Sequence, residues 1–152
     1  MDIQVPSRIL ITGFSGFVGS YLVEKCRTRY PRAQLFGLGK HSALHTTTPA
    51  MNDVIPFVVD ITSPDLVRQV VAKSRPDLVF HLAGQPSVAA SWVDPVQTLK
   101  INAEGAIHLF EALRAEQLSP RIVLVGSGEQ YGMIRPEENP VNEECLLRPI
   151  NP

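Results

Sequence analysis

At 152 residues, with 44% hydrophobic and 19% charged side chains, the chain reads as one soluble globular domain, long enough to bury a core. A net charge of −1 removes the electrostatic case for nucleic acid or an anionic membrane surface as partner. No apolar run nears the roughly 20 residues that span a bilayer, and Met1–Pro6 lacks the basic and apolar parts of a signal peptide, so a cytoplasmic location is expected.

The predicted elements alternate. Arg8–Ile11 is a first apolar strand, followed by the glycine-rich stretch Thr12–Gly19 and a helix through Tyr21, Leu22 and Cys26. Gln34–Leu38 reads as a second strand, and Lys40–Asn52 as a polar loop with at most a short helix. Val54–Val59 is a third strand whose Pro56 argues for the sheet edge. Ser63 and Pro64 open a helix with Leu66, Val67, Val70 and Val71 as its apolar face, stopped by Pro76. Asp77–Ala83 is a strand apolar enough to be buried on both faces, and Gly84–Trp92 a loop. Asp94 and Pro95 start a long helix with a stripe of Leu99, Ala103, Ala106, Phe110 and Leu113. A fifth strand is Arg121–Val125, and from Gly126 onward no period is visible. Cys26 and Cys145 form neither a disulfide framework nor a Cys-x-x-Cys pair, so both are expected reduced, and no metal site is expected.

This alternation predicts an α/β fold: a doubly wound parallel sheet of order 3-2-1-4-5, with ligand across the carboxyl ends of strands one and four. The stretch Gly13-Phe14-Ser15-Gly16-Phe17-Val18-Gly19 then falls at a strand-to-helix turn. Its glycines permit a tight turn and close backbone approach, and the following helix offers free N–H groups and a positive dipole end to a pyrophosphate. No Gly-Lys-Ser/Thr closes the loop, which excludes a phosphate-binding ATPase.

At the end of strand two, where an acidic residue receives the adenosine ribose in NAD-binding folds, the chain reads Leu38-Gly39-Lys40-His41-Ser42. No Asp or Glu lies between Lys25 and Asn52, so Lys40, helped by His41 and Ser42, favours the 2′-phosphate of NADP over NAD. Asp60, closing strand three, either accepts from an adenine amino group, with Ile61 covering the ring, or serves as a turn residue.

The segments T-G-F-S-G-F-V-G-S-Y-L, H-L-A-G-Q-P-S-V, S-W-x-D-P-x-x-T-x-x-x-N-x-x-G, V-G-S-G-E-Q-Y-G and R-P-x-N-P run in this order over essentially the whole chain. On them the chain resembles the extended short-chain dehydrogenase/reductases of the nucleotide-sugar epimerase/dehydratase group, a Rossmann-type family. The second and third of these segments are most similar to the GDP-mannose 4,6-dehydratase and GDP-4-keto-6-deoxymannose reductase branches. The resemblance implies that Leu82, Ala83 and Gly84 line the ribose and nicotinamide side of the cofactor, with Gln85 and Ser87 facing the sugar nucleotide. Asn102 matches the helix-four asparagine, either touching ligand or satisfied by nearby backbone. Ser127 matches the hydroxyl that hydrogen-bonds the reacting sugar oxygen, a turn serine being the alternative. Glu129 matches the acid/base of the dehydratases, whereas Gly128 in place of their usual serine or aspartate tilts the reading toward a reductase.

The implied parent reaction is NADPH-dependent reduction of a GDP-4-keto-6-deoxy sugar at C4. The alternatives are GDP-mannose 4,6-dehydration and a non-catalytic dinucleotide-binding module. The family's proton donor is a tyrosine of a Tyr-x-x-x-Lys pair directly after a segment like Arg148–Pro152, and no such pair follows here. The chain therefore reads as the N-terminal, dinucleotide-binding half of a homodimeric enzyme, lacking the substrate-binding part. Alone it is expected to bind NADP(H) weakly, to turn nothing over, and to leave strand five as an uncovered apolar edge.

Overall fold

The computed structural model describes residues 5–41 and 49–152. Five parallel strands, β1 (Arg8–Thr12), β2 (Gln34–Gly39), β3 (Val54–Val58), β4 (Leu78–His81) and β5 (Arg121–Leu124), form one sheet in the order β3-β2-β1-β4-β5. Pro56 does sit on an edge strand, where its missing N–H interrupts no ladder. Successive residues of a strand point to opposite faces, so β1 divides the core in two. Ile9 and Ile11 pack with Val23 and Cys26 of α1 (Phe17–Arg29), while Leu10 packs with Val67, Val70 and Val71 of α2 (Pro64–Ser74). Each such fully buried side chain stabilises the fold by roughly 1.5–3 kcal/mol. Burial also pushes the Cys26 thiol up to about 11, which leaves it protonated and inert.

The strand starts are tied by charge. Asp77, just before β4, accepts from the Ser7 N–H at 2.8 Å and from the Arg8 N–H, while the Arg8 Nε donates to the Ser74 carbonyl at the end of α2 at 2.5 Å. One arginine thereby satisfies carbonyls that the last turn of α2 leaves open.

Several boundaries differ from the sequence reading. Strand β4 ends at His81: the Leu82 N–H is shared between the Thr12 carbonyl and hydroxyl, and the Ala83 N–H turns to the hydroxyl. The expected loop after Gly84 contains a short helix, α3 (Val88–Val93), capped by the Ser87 hydroxyl, which accepts from the Ala90 N–H at 3.2 Å. Ser63 caps α2 by backbone only, and Leu66 points outward because the buried arc of that helix is Val67, Val70, Val71 and Ser74.

The long helix is a rod of three parts: α4 (Pro95–Leu99), a π turn (Lys100–Glu104) and α5 (Gly105–Ala115). Asp94 caps it, its side chain accepting from the Gln97 N–H at 2.9 Å. The rod is apolar on two sides. Ala106, Leu109, Ala112 and Leu113 face the sheet, whereas Leu99, Ala103 and Phe110 of the expected stripe stand largely outside. At the other edge, β5 exposes Ile122, Val123 and Leu124. Among the described residues no helix is long and apolar enough to cross a membrane.

Candidate functional site

All strands run the same way, so the ends of β1, β4 and β5 and the loops that follow them form one rim. Its first part is the turn after Thr12. Gly13 has φ +70°, and a Cβ there would lie 2.9 Å from the Ala83 nitrogen, so only glycine fits. Its N–H donates to the Leu38 carbonyl at 2.7 Å, and its own carbonyl accepts from the Gly16 N–H at 3.0 Å. Gly19 lets α1 lie on the turn, since a Cβ would overlap the Gly13 oxygen and come within 2.6 Å of the Phe14 Cα. Gly16 is the N-cap and no side chain caps the helix. The first helical bond runs from the Ser20 N–H, which leaves the N–H groups of Phe17, Val18 and Gly19 directed at the rim.

Not every side chain of this stretch faces a ligand. Phe14 is 2% exposed, its ring lying on Gly37 of β2 where a Cβ would intrude, so it contributes core and only backbone to the rim. Ser15 sits over Gly39, whose Cβ would meet its Oγ at 3.1 Å, while Phe17 and Val18 stand exposed at the mouth.

Past the ends of β2 and β3 stands a charge pair. Lys40 Nζ lies 3.0 Å from Asp60 Oδ2, and Asp60 Oδ1 accepts from the Thr62 N–H at 3.0 Å and its hydroxyl at 2.9 Å. Partial burial pushes the Asp60 carboxyl up, but the Thr62 hydrogen bonds and the Lys40 ammonium outweigh it and hold it below the usual carboxylate range. Asp60 is thus a turn residue and a partner of Lys40 at once. Ile61 is 4% exposed and packs into the space left by Gly105, which directs its side chain into the core instead of over a ring. His41 is exposed, and Ser42 lies outside the described residues.

On the β4 side, the Thr12 hydroxyl accepts from the N–H groups of Leu82 at 3.2 Å and Ala83 at 3.1 Å and lies 2.8 Å from His81 Nδ1. The loop continues past Gly84, whose missing Cβ makes room for Asn102 Oδ1. Asn102 lies on the π turn and clasps one residue from both sides: Oδ1 accepts from the Gln85 N–H at 2.7 Å, and Nδ2 donates to the Gln85 carbonyl at 3.3 Å. The Gln85 amide folds inward, donating to the Ser87 carbonyl at 3.0 Å and the Thr98 hydroxyl at 3.3 Å and accepting from the Ser87 N–H. The side chains of Asn102, Gln85 and Ser87 therefore brace the loop.

Beyond β5, Ser127 opens a 3₁₀ turn (Gly128–Tyr131), its Oγ accepting from the Glu129 N–H at 3.2 Å. Glu129 is exposed and its carboxylate accepts from Asn151 Nδ2 at 2.8 Å. Arg148 holds this returning segment in place, donating its N–H to the Gln130 carbonyl at 2.8 Å and pairing with Glu138. Tyr21 and Lys25 do have Tyr-x-x-x-Lys spacing, yet they lie on α1, where the Tyr21 ring meets Phe17 edge-on at 5.3 Å. Spacing alone does not make the pair. The sequence reading did not single out His81 and Asn151. A histidine inside an apolar strand was the available signal for the first.

The profile of the GDP-mannose 4,6 dehydratase family matches residues 10–152. GDP-6-deoxy-D-mannose reductase of Pseudomonas aeruginosa is 34% identical over 97% of this chain and 43% of its own length. UDP-glucose 4-epimerase of Mycolicibacterium smegmatis is 31% identical over 95% of this chain and 46% of its own. Among solved structures, UDP-glucose 4-epimerase of Thermus thermophilus in complex with NAD superposes with a TM-score of 0.79 at 31% identity, over 95% of this chain and 45% of that one. RMD from P. aeruginosa complexed with NADPH gives 0.69 at 28% identity, over 95% and 44%. The chain thus spans less than half the length of these relatives. Fold, motif order and family profile agree, and the chain belongs to the GDP-mannose 4,6-dehydratase family of Rossmann-type nucleotide-sugar enzymes.

Proposed function

We propose that the protein reduces a GDP-4-keto-6-deoxy sugar at C4 with NADPH. The observation that carries this reading is the rim itself. The uncapped amides of α1 stand at the end of β1, and Ser127 stands past the end of β5, two strand spacings or roughly 10 Å away. That separation suits a diphosphate at one end and a sugar carbon at the other. The glycine turn suits a dinucleotide, because Cβ atoms at Gly13 and Gly19 would collide with the Ala83, Gly13 and Phe14 backbone and undo the shape that presents the α1 amides. In this assignment the amides of Phe17, Val18 and Gly19 receive the diphosphate, and Leu82, Ala83 and Gly84 line the nicotinamide side. Lys40 meets the 2′-phosphate, exchanging its pairing with Asp60 for the stronger anion. Support for NADPH also comes from the NADPH complex of the P. aeruginosa relative.

When bound, the dinucleotide supplies the hydride. Ser127 donates a hydrogen bond to the sugar's C4 oxygen and stabilises the charge that develops there. The loop braced by Asn102 and Gln85 holds Leu82–Gly84 in place beside it. The exposed apolar side of the α4–α5 rod, with Leu99, Ile107 and Phe110, supports a homodimer.

Glu129 favours a second reading. Its exposed carboxylate, held by Asn151, suits removal of a proton alpha to a C4 ketone, the step that 4,6-dehydration needs. Supplying the whole protein with GDP-mannose and NADP+, or with GDP-4-keto-6-deoxymannose and NADPH, separates the two. Consumption of NADPH by the keto sugar alone supports the reductase. A 4-keto product from GDP-mannose without net change in NADPH supports the dehydratase.

A further inference from the structure

The Thr12–His81 contact is buried, joins residues in direct register on neighbouring strands, and plays no part in the reading above. A hydroxyl has one proton to give and two lone pairs to accept with. Thr12 Oγ1 accepts from the Ala83 N–H at 3.1 Å and from the Leu82 N–H at 3.2 Å, the latter shared with the Thr12 carbonyl at 3.2 Å. Its proton then has one destination within reach, His81 Nδ1 at 2.8 Å. An Nδ1 that accepts carries no proton, so the neutral ring must hold its proton on Nε2. That atom is buried with no partner among the described residues.

The arrangement is unusual for a packing residue. His81 is 3% exposed in an otherwise apolar strand, and a leucine or phenylalanine there would fill space without burying an unpaired N–H. What the imidazole offers that they do not is an acceptor facing Thr12. We propose that His81 is a positioning residue for the cofactor loop. As an Nε2-protonated neutral imidazole it accepts a hydrogen bond from the Thr12 hydroxyl, which turns the Thr12 oxygen toward the Leu82 and Ala83 N–H groups and so bends Leu82–Gly84 over the glycine turn. Gly13 supplies the other half of the closure, because its bare Cα admits the Ala83 nitrogen. A ring protonated on Nδ1 would compete with those N–H groups for the same lone pairs and loosen the loop. The inference rests on the reading of Leu82–Gly84 as the nicotinamide side.

Two measurements test it. Nitrogen-15 NMR of the wild-type chain reads the tautomer without any cofactor: a bare Nδ1 and a protonated Nε2 are expected, and the opposite tautomer or an imidazolium at neutral pH overturns the proposal. NADPH titration then reads the consequence. His81→Leu and Thr12→Val should each weaken binding about two- to tenfold, the double variant no more than either alone. His81→Asn, which keeps an acceptor near the Nδ1 position, and Thr12→Ser should restore it. Unchanged affinity in His81→Leu, or no rescue by asparagine, counts against a positioning role. Titrations are made on the whole protein, and failure of its wild type to bind NADPH overturns the cofactor reading, and the loop's assignment with it. The tautomer result still reports separately whether the Thr12–His81 bond exists.

Discussion

A single hydrogen atom decides whether the glycine turn can form. At Gly19 a methyl group would be driven into the Gly13 carbonyl and the Phe14 backbone, neither of which is a flexible side chain that could move aside. Gly19→Ala should therefore cost roughly 3 kcal/mol or more, read as a lowered midpoint in chemical denaturation, and should abolish NADPH binding. His81 sets a second residue-scale expectation. Burial holds its imidazole below the ordinary value of 6.5, and the residues in register with it, Thr12 and Leu124, carry no charge to offset this. The unfolded chain thus binds a proton near 6.5 that the folded chain refuses. Stability is complete above that pH and declines as the pH drops from there through the depressed value. Thermal midpoints of the wild type and His81→Asn, followed from about pH 8 to about pH 5, should diverge on the acid side, the wild type losing more. Parallel curves would remove His81 as the cause. The glycines were legible as a motif because their spacing is a backbone requirement. The roles of Phe14 and Ile61 were not, because a large apolar residue beside a ligand loop can turn to either side. Gly37 and Gly105, far off in sequence, leave the holes that take them.

Among the elements, strands and the α2 helix follow from period and punctuation, while the long rod shows where such reading stops. Its two apolar sides satisfy the same spacing rule, and only the sheet beneath decides which is covered. Leu109→Ala should cost about 2–5 kcal/mol, whereas Phe110→Ala, on the open side, should stay within about 1 kcal/mol in the monomer. Equal losses would contradict this placement of the rod. Asn102 sits on the π turn and reaches the Gln85 backbone with both ends of its amide. Nothing in the local composition announces it. α3 was missed for a similar reason, since six residues give too short a window for a period and its start rests on one hydroxyl, that of Ser87.

For the molecule as a whole, strand order and handedness follow from alternation, and the structure has the order expected, β3-β2-β1-β4-β5. The family was readable because five motifs fall in one order along the chain, and the family profile spans residues 10–152. The reaction is harder to read, because Ser127 and Glu129 suit reductase and dehydratase alike. Gln85 and Ser87, expected to face the sugar nucleotide, brace their own loop, and Asn102 is satisfied by the Gln85 backbone, one of the two outcomes expected for it. What remains common to every reading is a dinucleotide whose diphosphate rests on the amino end of α1. An amide-resolved NMR titration with NADPH tests this directly. The account predicts that the largest shifts fall on the N–H groups of Gly13–Gly19 and Leu82–Gly84. Shifts absent from both segments, or gathered instead in the depression around Leu113, Leu118 and Ile122 at the opposite end of the sheet, would contradict it.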